Sequence, residues 1–395
     1  MSALSSPARR GSRKGVLLLV SAALLAFVVP PSHATGTYVR HIATYPDRCQ
    51  NFGWQRGIHV DTHGADRTFA NCDKRSESEA ITYMDTVQGH LRLLKTSYKG
   101  DVFGTTVDDT GTYVAIGQWN WQSNSGYRLY LGKRNTDGTF ASPRFVGFAG
   151  GTPLAMVAQA GKWWMVWPDS KSKWLQARTF SGASGRPERA QGLETMPTNG
   201  LSELSWNADG DGVAAVWNED SQMRLGHASA KTGVWSSVPV RGAEGQATDL
   251  AVDGKTSYIG FMRTQKAGVV TNGSDGRHWS RVPLPSGTNS SWGAKVAAWR
   301  GHVWIMWNQV VAVSCSSTAA DGTCRGAHND TVARVYSLDL KKTWDLTRYV
   351  PGAGGKAGTG QSAMEFLNHN GPRARAVYQD FDQHSLTVSA EVGRA

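Results

Sequence analysis

Beyond residue 34 this chain has no run approaching eighteen apolar residues, so nothing there is long enough to cross a bilayer as a helix. It has no sustained 3.6-residue apolar period, which argues against long amphipathic helices. No Lys/Arg-rich stretch follows residue 14, and a nucleic-acid footprint needs such a patch. No Cys-x-x-Cys pair occurs, so the four cysteines match no common zinc module. GxSxG and HExxH are also missing, which leaves serine-hydrolase and zinc-protease chemistry without a motif.

What is present begins with an export signal. Arg9, Arg10, Arg13 and Lys14 precede an apolar run over residues 16–29, and Pro30 and Pro31 break it. Ser32-His33-Ala34 then places small residues where signal peptidase reads them, so residues 1–34 are expected to be a signal peptide cleaved after Ala34. An uncleaved anchor is the alternative. The Arg9-Arg10 pair also allows a twin-arginine route, although the apolar residues that should follow it are missing. Removing the four cations takes the net charge from +11 to +7, and leaves a mildly basic chain, 35–395, expected to be one secreted or cell-wall-associated domain.

Exported cysteines favour disulfides. Four cysteines allow three connectivities, and the local solution is Cys49–Cys72 with Cys315–Cys324. The second pair sits in a polar insertion at about 310–331.

The 45 glycines and 16 tryptophans belong to a repeat. A Gly-containing turn is followed by an alternating strand that ends in an aromatic and a polar residue. Copies run from Gly111 to Asn120, Gly161 to Asp169, Gly212 to Glu219, Gly254 to Arg263, Gly301 to Gln309 and Gly371 to Asp380, with a weaker one from Gly64 to Asp73. A period near 45 residues with four strand signals per unit predicts an all-β propeller of seven blades. Six blades plus an irregular extension over 36–79 is the alternative. The last copy lacks its fourth strand. Thr37 to Tyr45, with Tyr38, Val39, Ile42 and Tyr45, is expected to supply it and close the ring, with Cys49–Cys72 fastening that strand.

The third-to-fourth-strand turns repeat too. Ser337-Leu-Asp339-Leu-Lys341-Lys-Thr343-Trp344 resembles the Asp box of sialidase-type propellers, with Lys341 in place of the usual Gly. Ser274-Asp275-Gly276-Arg-His-Trp279 is similar to a shortened copy. The resemblance implies a structural role for these turns. The family's Arg-Ile-Pro signature, arginine cluster and Tyr–Glu nucleophile pair cannot be assigned here. In size, export and architecture the chain also resembles secreted actinobacterial seven-bladed propellers of the dispase autolysis-inducing type.

Propellers bind at the face carrying the B–C and D–A loops, where strand B ends. That face gathers Asp73, Trp119, Asn120, Trp121, Asp169, Glu219, Asp220, Arg263, Gln309, Asp380 and Asp382. Aromatic rings beside carboxylates and amides suit sugars, although the recurring Trp119, Trp167, Trp217 and Trp307 also suit packing between blades. If the face binds glycans, Trp119 or Trp121 is the expected stacking platform, and Trp121 is the one with no counterpart in the other copies. Asn207 to Gly212 resembles the start of a calcium loop but lacks its closing Glu, and a polar hairpin turn explains it without a metal. The expectation is a monomeric, cofactor-free protein that binds an extracellular protein or polysaccharide, with no nucleic acid or membrane partner. A sialidase-like glycoside hydrolase or lyase using Asp169, Glu219 and Asp380 is the alternative.

Overall fold

The repeat becomes strands where the alternation predicts them. The computed structural model describes residues 235–346 apart from 274 and, elsewhere, strand segments between 37 and 394. The described residues contain no α-helix and form seven four-stranded antiparallel sheets. Six are built from consecutive strands over 58–94, 101–149, 155–197, 204–239, 246–281 and 290–345. The seventh joins Thr359–Phe366, Arg373–Asp380 and Leu386–Arg394 to the N-terminal strand Thr37–Tyr45, which pairs along Leu386–Arg394 from Thr37↔Arg394 to Tyr45↔Thr387. Cys49, Cys72 and residues 1–34 lie outside the described residues.

Strands are lettered A to D in chain order within each sheet. Gly254 and Gly301 turn between strands A and B, Gly111 and Gly212 open strand B, and Gly64, Gly161 and Gly371 lie outside the described residues, each between a strand A and a strand B in sequence. Strand A of each sheet neighbours strand A of the next, and Thr359–Phe366 neighbours Ile58–Asp61.

The core lies between sheets, and period-two alternation puts it there. On strand B of the sixth sheet, His302–Thr318, the residues Val303, Ile305 and Trp307, with Val296 of the same sheet, pack against Val269 and Val282 of the fifth. Trp304 and Met306 face the other way, toward Trp344 and Leu346 at the edge of their own sheet and Ala376 of the seventh. Trp217 and Trp307 are both buried, so at these two positions the recurring tryptophan is packing material. Trp307 also donates its indole N–H to Gly287 O at 3.2 Å, which satisfies the one polar atom its burial would strand.

Adjacent A strands are not backbone-paired, and side chains bridge them instead. Thr248 donates to Ala294 O at 2.6 Å, Lys295 Nζ donates to Thr248 O at 2.6 Å, and Val296 N–H donates to the Asp249 carboxylate at 2.9 Å. At the end of strand B, Asn218 donates to Gly245 O at 2.7 Å and accepts from Ala247 N–H at 2.8 Å. One buried amide thus joins the fourth sheet to the entry of the fifth.

The Asp-box-like turns lie on the C–D hairpins. The Ser337 hydroxyl donates to Asp339 at 2.6 Å, and Leu340 N–H donates back to Ser337 Oγ at 3.3 Å. Lys341 takes φ of 51°, the left-handed position that glycine fills in the usual box. In the shorter copy Gly276 itself takes that position, with φ of 71°. Asp275 there accepts from the N–H groups of Arg277 and His278 at 2.9 and 3.1 Å. Trp344 packs on Trp304 with ring centroids 5.3 Å apart and planes tilted by 37°, which fills the space toward the seventh sheet.

Candidate functional site

The B–C turns and D–A loops share one end of the sheets, and at that end the fifth sheet's B–C turn and the loops on either side of it, 240–245 and 282–289, are described. The fifth sheet turns from strand B, Thr256–Arg263, to strand C, Lys266–Thr271, through Thr264 and Gln265. Both residues have positive φ, 46° and 57°, as a two-residue hairpin with the strand-matching twist requires.

Strand D of this sheet is only Ser280–Arg281. The sequence explains why it stops. Val282 N–H still bonds Val269 O at 2.9 Å, but Pro283 and Pro285 have no N–H to continue the ladder. The chain bows away from strand C and returns where Ala267 N–H bonds Thr288 O at 2.8 Å. A groove of about 510 Å³ is left between the strand and the loop, and Leu284 and Pro285 form part of its wall.

Register sets the rim. Arg263 pairs with Lys266, Phe261 with Gly268, and Val270 with Arg281, so these pairs share one face of the sheet. Gly268 is required in the middle. A Cβ there would lie 2.4 Å from the Phe261 ring, which is itself only 5% exposed. Three cations line the groove and no carboxylate does. Arg263 pairs with Glu244, which lies outside the lining, and Arg281 donates from Nε to Gly242 O at 2.9 Å. Lys266 has no ion-pair partner among the described residues.

Beside the groove the sixth sheet sends out a ribbon. Its strands B and C, His302–Thr318 and Cys324–Ser337, run on together well past the sheet and turn at residues 319–323. Cys315 and Cys324 are joined by a disulfide near the tip, as their place in one insertion led us to expect. At the base, Val310 N–H donates to Asn289 O at 2.8 Å, and Gln309 accepts from Arg334 Nε at 3.1 Å. Arg334 also pairs with Asp345 at 3.3 Å.

These contacts sort the residues expected on this face. Arg263 belongs to the groove. Gln309 anchors the ribbon's base by holding Arg334. Trp119, Glu219 and Asp380 fall at strand-B ends as expected. Asp73, Asn120, Trp121, Asp169, Asp220 and Asp382 lie outside the described residues, as do Asp209 and Asp211 of the calcium-like stretch. Lys266, Arg281 and the Pro-Leu-Pro loop were not singled out from the sequence. The signal was there in Val282-Pro283-Leu284-Pro285, two prolines directly after a strand, but its meaning depends on which strand the loop leaves.

No family model matches the chain, and no curated protein matches it. Among solved structures it is similar to the Dos1 propeller, at 10% identity over 82% of this chain and 75% of that one, with a TM-score of 0.48. It is also similar to puromycin hydrolase, at 11% identity over 84% of this chain, with a TM-score of 0.52. The chain matches about half, 51%, of that hydrolase's length. At such identities the likeness concerns architecture alone. The fold follows from the four-stranded antiparallel sheets set side by side, strand A against strand A: this chain is a β-propeller.

Proposed function

We propose that this chain is a secreted seven-bladed propeller whose ring is closed by its N-terminal strand. We propose further that it acts as a binding protein through its B–C and D–A loop face, toward an extracellular protein or glycan. Closure is supported by the pairing of Thr37–Tyr45 with Leu386–Arg394 and by the neighbouring A strands at the two ends of the repeat. The Ser337–Trp344 turn supports kinship with Asp-box propellers, and the Cys315–Cys324 disulfide fits an oxidising compartment.

The observation that carries the binding reading is the groove, an apolar-walled cleft with a cationic rim on the loop face. Its size suits a bound segment. No carboxylate lines the groove, and Glu244, which meets its rim, is engaged by Arg263; both favour recognition over hydrolysis.

The test compares two faces. Immobilised chain 35–395 is exposed to secreted proteins and, separately, to purified cell-wall polysaccharide. A loop-face variant, Lys266→Glu with Arg281→Glu, should lose the retained material. A variant of the opposite turns, Lys255→Glu with Arg277→Glu, should keep it. Equal retention by both would overturn the assignment of the face. Trp121→Ala reports on the glycan branch: it should weaken polysaccharide retention while leaving thermal stability nearly unchanged.

A further inference from the structure

Resting on the loop-face reading, we infer that the groove of the fifth sheet takes an extended acidic peptide segment, with carboxylates four residues apart and aliphatic side chains between them. The spacing comes from the register. Lys266 and Val270 lie on the same strand, and Arg281 sits opposite Val270. Four residues of strand separate the two cations, about 14 Å at the usual rise. An extended chain laid alongside has the same rise, so its residues i and i+4 reach both cations from one face.

The class of ligand comes from the walls. Strand D covers only two residues, Ser280–Arg281, and the chain bows out between its bonds to Val269 and Ala267, so the groove is a cleft between strand C and the loop that carries Leu284 and Pro285. A cleft that runs beside a strand suits an extended segment held by its side chains, with the rim cations fixing its ends. The neighbouring surface is aliphatic, from Leu284 and Pro285, and the single aromatic ring in the lining, Phe261, is buried against Gly268. A pyranose therefore finds no exposed aromatic face to stack on, while Leu or Val side chains find apolar contacts. Glu244 already occupies Arg263. It acts as a built-in competitor, so the ligand's two carboxylates fall to Lys266 and Arg281.

Fluorescence anisotropy tests this with a labelled ten-residue peptide carrying Glu at positions four apart and Leu and Val between them. Replacing both Glu by Gln should weaken binding at least tenfold, as should Lys266→Glu with Arg281→Glu in the protein. All three altered side chains are exposed, and a thermal melt confirms the variants fold. Glu244→Gln should tighten binding about threefold by releasing Arg263, a gain that a purely structural role would not produce. Raising salt should weaken binding, since two exposed ion pairs carry it. Equal affinity for a peptide with adjacent Glu residues would overturn the register argument. Tighter binding of oligogalacturonate through the same cations would overturn the peptide assignment in favour of a glycan. No peptide binding, with loop-face retention of secreted material intact, would sink this inference alone. Loss of face discrimination would sink the broader reading with it.

Discussion

Asn218 shows how one side chain holds two sheets. Its amide satisfies Gly245 O and Ala247 N–H at once, and it is 4% exposed. Asn218→Ala removes both bonds and strands two backbone groups, which should cost about 2 kcal/mol. Chemical denaturation of the variant, followed by tryptophan fluorescence, measures the loss. Asp339 offers a pH handle at the same scale. Burial by itself would raise its carboxyl, but the Ser337 hydroxyl and His302, 3.0 Å away, outweigh burial and hold it below the ordinary aspartate range. A carboxyl lowered on folding stabilises the native state above its unfolded value and loses that contribution as pH falls through the folded one. Melting temperature should therefore drop on acidification below about pH 4. Asp339→Asn should reduce that drop while lowering stability at neutral pH.

The ribbon at 310–331 is the element that departs from the repeat. A two-stranded hairpin projecting from a sheet is marginal by itself, and its described tip residues, Asp321, Gly322, Thr323 and Cys324, are exposed. The Cys315–Cys324 bridge closes a short loop, worth about 3 kcal/mol in the chain-entropy account. That energy acts on the ribbon rather than on the core, because the bridge lies beyond the residues packed between sheets. Replacing both cysteines by alanine should leave the melting temperature within about two degrees of the parent. Proteolytic nicking at residues 316–323 should rise sharply, read by limited digestion and mass spectrometry. A large fall in melting temperature would instead make the ribbon part of the core.

At the scale of the molecule, the proposed closure makes the two ends of the chain mutually dependent. Strand D of the last sheet comes from Thr37–Tyr45, so deleting residues 35–45 exposes the whole edge of Leu386–Arg394. The truncated protein should unfold at clearly lower temperature and aggregate, by calorimetry and light scattering. Supplying residues 35–45 as a free peptide should partly restore it. A truncated chain as stable as the parent would show that the ring does not depend on this strand.

Much of this architecture was legible in order of sequence, because its signals are local. Alternation over five to nine residues, Gly at each A–B turn and a period near 45 residues locate strand B in all seven sheets. The missing fourth strand of the last copy pointed to Thr37–Tyr45 for the same reason, since an alternating segment without a partner can be matched to a sheet with an open edge. The site was much less legible. Arg263 ends strand B as the repeat predicts, whereas Gln309 lies within a strand that runs on to Thr318, and only tertiary contacts give one to a groove rim and the other to the base of a ribbon. Lys266 and Arg281 are ordinary exposed cations in a sequence. They become one rim because strand pairing brings residues fifteen apart onto one face, and because two prolines just after Arg281, unable to donate, turn the chain away from strand C and leave a groove there.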